Sequence, residues 1–244
     1  SEDDLVYFHG EHGEVWDGLH FQSGSSGLVS YAVIEDGDTP LNGGGLHING
    51  DGTQVRFSNC RIRNNRAVRY WFHGGFQGTY GDGGGAYITD SAMVKFEGCV
   101  FTNNRSGGFG VALAVLNRAD VQLERCLVVG NHEITNGHSS GGSETGRDTS
   151  PGVIGCSNSD IRISNCTISD NVAVVRTGQM GVTPYAMMNT AIYILGGSLT
   201  SISNSIIWNN SEDVDHELAV YPDIFAEVSY SNLISPVTGA GNIS

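Results

Sequence analysis

The stretch FSNCRIRNN, Phe57 to Asn65, decides the fold because it recurs along the chain. Its pattern is an apolar residue, two residues, cysteine or a small residue, one residue, an apolar residue, two residues, and asparagine. Further copies are FEGCVFTNN ending at Asn104, LERCLVVGN ending at Asn131, ISNCTISDN ending at Asn171 and ISNSIIWNN ending at Asn210. Two weaker copies flank them, VSYAVIEDG around Ala32 and VSYSNLIS around Ser231. Cys60, Cys99, Cys126 and Cys166 share one position of the repeat, which Ala32, Ser205 and Ser231 fill elsewhere.

A second unit precedes these copies: a small residue followed by alternating apolar positions. It reads GLHF from Gly18, GLHI from Gly45, GAYI from Gly85, ALAV from Ala112, GVIG from Gly152 and AIYI from Ala191. Alternation over four to six residues is a strand signal. Strands this short cannot each bury a face alone, so the repeats must stack. The expected architecture is all-β, a single-stranded parallel β-helix running through residues 1–244 as one domain. Equivalent positions then lie about 4.8 Å apart along the stack, which turns the terminal asparagines into a ladder and the cysteines into small core residues.

These copies, with GGGLHI and GGGAYI, resemble the right-handed parallel β-helix repeat proteins of the pectate-lyase-like superfamily over nearly the whole chain. The resemblance implies a right-handed solenoid. Proteins of this style include polysaccharide lyases, glycoside hydrolases, phage tailspikes and large bacterial surface proteins, so the expected setting is secreted or cell-surface, bacterial or phage-related. No catalytic motif of the superfamily transfers residue by residue.

Composition narrows the partners. Of 244 residues, 12 are Lys or Arg and 26 Asp or Glu, a net charge of −14. A nucleic-acid partner needs a basic face and is not expected. No apolar run approaches the roughly 18 residues of a membrane helix, and SEDDLVYFHG at the start lacks the pattern of an export signal. One region departs from the acidic background. Thr53 to Gly81 contains five arginines and no acid, leaving −19 on the remainder. Oligomeric state leaves no signature in the sequence.

The spacing of the asparagines exposes insertions. The intervals from Cys60 to Cys99, Cys126 to Cys166 and Cys166 to Ser205 are 39, 40 and 39 residues, against 27 from Cys99 to Cys126. Three long loops are therefore expected from one corner, at 66–82, 132–150 and 172–189, and such loops are where binding concentrates. The first carries Arg66, Arg69, Tyr70, Trp71, His73, Tyr80 and Asp82; the second carries His132, Glu133 and Arg147. Guanidinium forks hold carboxylates or sulfates and aromatic rings stack on sugars, so this mixture suits an acidic polysaccharide. An outward column beside the loops reads His20, His47, Tyr87 and Tyr193, with Ala114 and Val153 between.

The expected function is an extracellular lyase or glycoside hydrolase working in a groove between the loops and this column. For elimination, Arg66 or Arg69 neutralises a uronate, and His47, His73 or Tyr87 takes the proton. Two alternatives stand beside it. One is a non-catalytic module for adhesion, carbohydrate binding or spacing within a longer protein. The other is a metal site, at His20 and His47 or, for calcium or a transition metal, among Asp213, Asp215, His216 and Glu217.

Overall fold

A computed structural model describes residues 4–11, 14–68, 81–134, 152–172, 190–196, 199–210, 218–220, 225–233 and 241–242. Its strands form four wholly parallel sheets of eight, seven, seven and four strands. One full turn runs Gln54–Ser58, Arg61–Arg63, Arg66–Ala67 and then Ala86–Thr89, each strand belonging to a different sheet. The next turn repeats this with Met93–Glu97, Val100–Thr102, Arg105–Ser106 and Leu113–Leu116. Equivalent strands pair in register without a slip, as in Phe57 opposite Phe96 and Ile62 opposite Phe101. This is the parallel β-helix expected from the repeat.

The short repeat turns because two of its positions hold left-handed backbone. The residue before each ladder cysteine or serine has φ near +55°: Asn59, Arg125, Asn165 and Asn204 all lie between 50° and 55°. The residue before each ladder asparagine does the same at Asn64, Asn103, Asp170 and Asn209. Asparagine and aspartate tolerate this region better than other side chains because their short polar groups bond locally. That explains the SN and NN pairs of the repeat.

The asparagines form the expected ladder. Asn65 Nδ2 donates to Asn104 Oδ1 at 3.0 Å, Asn104 to Asn131 at 3.0 Å, Asn131 to Asn171 at 2.8 Å and Asn171 to Asn210 at 2.7 Å. All five are buried. The bend they occupy is thereby satisfied internally, as buried amides require.

The cysteines line the interior with Ala32, Ser205 and Ser231, and all are free thiols. The Cys99 side chain hydrogen-bonds Cys60 and lowers its thiol, against burial, to about 7. Cys156, outside the ladder, is also buried and bonds the Ser159 carbonyl. The remaining core is aliphatic and phenylalanine stacking, with Phe57 on Phe96 at 5.0 Å between ring centres and Phe96 edge-on to Phe101.

Candidate functional site

Two outward columns flank the corner from which the long loops leave. The first lies on the four-stranded sheet, Asp38–Thr39, Arg66–Ala67, Arg105–Ser106 and His132–Glu133. Its register places Asp38, Arg66, Arg105 and His132 side by side on successive rungs. Arg105 and His132 are exposed and Arg66 half-buried, while Thr39, Ala67, Ser106 and Glu133 are buried. A strand sends alternate side chains to opposite faces, so this strip presents Arg105 and His132 to solvent, with Arg66 partly sunk beside them and Asp38 at the end of the row.

This strip revises the expected loops. Arg66 and His132 stand on two-residue strands, too short to show any period in sequence. Glu133 does not accompany His132 in a groove, since the pleat turns it to the buried side of the strand. Arg105 was missed. The signal was available: it directly follows ladder residue Asn104, as Arg66 follows Asn65 and His132 follows Asn131.

The second column lies on the seven-stranded sheet that includes Leu19–Phe21, Leu46–Asn49 and Ala86–Thr89. His20 and His47 stack with ring centres 5.3 Å apart and planes at 28°, and His47 meets Tyr87 edge-on at 5.2 Å. Farther along, the register opposes Tyr87 to Ala114, Ala114 to Gly155 and Gly155 to Tyr193. The column therefore passes through Gly155. Val153, assigned there from sequence, is buried in the core instead, because the register sets Gly155, two residues farther along the strand, opposite Ala114 and Tyr193. Phe109 fills the space that Gly155 leaves: a Cβ on Gly155 would come within 2.6 Å of its ring. Phe109 and Tyr193 then pack edge-on at 6.0 Å and are nearly enclosed.

Glycines bring the two columns together. A Cβ on Gly44 would lie 2.6 Å from the Arg66 backbone, and one on Gly84 would lie 2.3 Å from the Arg105 carbonyl oxygen. Gly44 precedes His47, and Gly84 precedes Tyr87, by three residues, at most about 10 Å of extended chain. The basic strip and the His/Tyr column are thus neighbouring banks of one surface. Val68 N–H donates to the Thr39 carbonyl at 3.0 Å and Gly81 lies against the Leu41 and Ala67 carbonyls. Asp82 accepts the Phe109 N–H at 2.7 Å and holds the next turn in place.

His47 has its pKa lowered from the ordinary 6.5, first by burial and then by the neighbouring His20; a bond to the Asn42 carbonyl and the charge of Asp90 oppose this. The imidazole is consequently neutral near pH 7 and has a nitrogen able to accept a proton. His20 and His47 stack on one another, and His20 Nε2 is already within 3.0 Å of the Asp17 carbonyl. Among the described residues there is no group of three or more His, Cys, Asp or Glu side chains placed to hold a metal ion. Arg69, Tyr70, Trp71, His73, Tyr80, Arg147, Asp213, Asp215, His216 and Glu217 lie outside the described residues.

Lys95, the single lysine, is remote from these columns. It sits on the outer face of the other seven-stranded sheet and bonds Glu124 at 2.6 Å, in a network with Glu97, Arg56 and Arg125. Such exposed pairs are a solvated surface feature.

No curated protein and no solved structure matches the chain. The family model described as a right-handed beta helix region matches residues 6–141, more than half of the sequence. With its parallel sheets and asparagine ladder, the chain belongs to the right-handed β-helix family.

Proposed function

We propose that the protein binds an acidic polysaccharide along the surface between the basic strip and the His/Tyr column, and cleaves it by β-elimination. The observation that carries this reading is the neutral His47, in contact with Tyr87 and a short glycine turn away from Arg66. Arg66 would pair with the uronate carboxylate and acidify the adjacent C5–H. His47 takes that proton, the electron pair forms the C4–C5 double bond, and the C4–O bond breaks. The leaving oxygen receives a proton from the Tyr87 hydroxyl. Elimination is favoured over hydrolysis because two acids expected near the groove are otherwise placed: Glu133 is buried, and Asp82 is bonded to the Phe109 N–H.

The test is incubation with neutral, uronic and sulfated polysaccharides, with and without calcium, reading both unsaturated-uronate absorbance and new reducing ends. Absorbance that appears with the wild type and disappears with His47→Ala supports elimination. Reducing ends without absorbance would replace it with hydrolysis. Binding without either signal would make the surface a carbohydrate-binding module.

A further inference from the structure

The basic strip is built on the repeat itself, one arginine or histidine side chain per rung over three rungs. Arg66, Arg105 and His132 each follow a ladder asparagine, and each is fixed by pairing with its neighbours: Arg105 lies opposite Arg66 on one side and His132 on the other. The ladder below holds this spacing rigidly, since Asn65, Asn104 and Asn131 are linked by side-chain bonds of 3.0 Å. A turn of coil with no long insertion joins Arg105 to the His/Tyr sheet: Gly108 N–H donates to the Gly81 carbonyl and Gly83 N–H to the Phe109 carbonyl. The middle cation is therefore carried on ordered scaffold.

We infer that Arg105 is a specificity-determining residue, and that the strip selects polymers with an anionic group on every sugar, laid along the axis of the coil. This rests on the acidic-polysaccharide reading above. Rungs repeat about every 4.8 Å. A glycan charged at each sugar offers anions at twice the density of one charged at alternate sugars, so its successive anions are the better match to Arg66, Arg105 and His132 on adjacent rungs. A glycan charged at alternate sugars leaves Arg105 facing a neutral ring. Carboxylate and sulfate ester share the required chemistry, because a guanidinium forms paired hydrogen bonds to either. With Arg66 and Arg105 set aside the chain carries −16, since −14 less two positive charges is −16, and this repels a polyanion elsewhere and favours the strip.

The experiment measures affinity by calorimetry for three probes of equal sugar number: oligogalacturonate, sulfated dextran oligomers and hyaluronan oligomers, the last charged at alternate sugars. Arg105 is exposed, so Arg105→Gln and Arg105→Lys fold as the wild type does, which thermal unfolding checks. Arg105→Gln should weaken binding of one or both fully charged probes about tenfold and that of hyaluronan less than twofold, with Arg105→Lys recovering part of the loss. Which fully charged probe responds identifies carboxylate or sulfate. Unchanged affinity in Arg105→Gln while Arg66→Gln weakens binding would overturn the role of Arg105 and leave the acidic-polysaccharide reading standing. Equal wild-type affinity for hyaluronan and the fully charged probes would overturn the spacing rule alone. No binding of any acidic probe by the wild type would sink both.

Discussion

Replacing Asn131 with alanine should remove the centre of the asparagine ladder and destabilise the whole coil. Asn131 Nδ2 donates to Asn171 Oδ1 at 2.8 Å and to the Phe101 carbonyl at 3.0 Å. Its Oδ1 accepts both the backbone N–H and the side-chain Nδ2 of Asn104, each at 3.0 Å. Four good buried bonds go at once. At about 1 kcal/mol net apiece the loss is about 4 kcal/mol, and the Asn104 N–H, which donates to that oxygen, is left in a buried site where an unmade bond costs about 1–3 kcal/mol. A total near 5–7 kcal/mol is a large part of the roughly 5–15 kcal/mol that a domain of ordinary stability possesses. Urea unfolding followed by far-ultraviolet circular dichroism reads this directly, provided the denaturant slope is unchanged. Asn131→Asp is the informative companion: it keeps an acceptor for Asn104 but loses the donor to Asn171. A loss below about 1 kcal/mol for Asn131→Ala would refute the claim that the ladder holds the rungs together.

Gly84→Ala should destabilise the protein by at least about 1–3 kcal/mol, because its methyl would meet the Arg105 carbonyl oxygen at 2.3 Å; thermal unfolding measures this, and polysaccharide binding should fall as the two banks separate. His47 should titrate in NMR below 6.5, and His20→Ala should raise its midpoint by removing a like charge and opening the site to water. Since His47 resists protonation more when folded than when unfolded, its contribution to stability is complete above pH 6.5 and shrinks as pH falls from there toward the lowered value. Cys126→Ser should fold, because Ser205 and Ser231 already fill the same ladder position and donate to the carbonyls of Ser203 and Ser229; a molten circular dichroism spectrum would contradict this. Glu97→Gln should lower the melting point only slightly, with the difference fading in high salt.

The coil was legible because its determinants are local and periodic. Asn59 and Asn64 mark the left-handed corners, Cys60 the tight interior position and Asn65 the ladder, and one nine-residue pattern of this kind recurs on five turns. The strip was not legible as a strip. Two-residue strands such as Arg66–Ala67 carry no alternation, and their order emerges only when the rungs are stacked in register. His47 and Tyr87 were visible as a column because each follows a glycine-led strand, yet the register shift from Val153 to Gly155 required the pairing with Tyr193 to be seen. The lowered basicity of His47 comes from enclosure by neighbours on other turns, which a linear sequence does not display. Glu133 shows the converse: beside His132 in sequence, it faces the opposite way because strands alternate.

The ladder also sets how the molecule would respond to being pulled. Its strands run across the long axis and their hydrogen bonds run along it, so tension between the two ends loads one rung's bonds at a time, peeling them like a zipper. Each release frees the chain between consecutive ladder asparagines, 39 residues from Asn65 to Asn104, 27 to Asn131, 40 to Asn171 and 39 to Asn210. At about 3.6 Å per residue these lengths are roughly 140, 100, 140 and 140 Å. The unequal lengths of chain between rungs thus act mechanically as slack, paid out in uneven steps while the coil beyond each break stays wound.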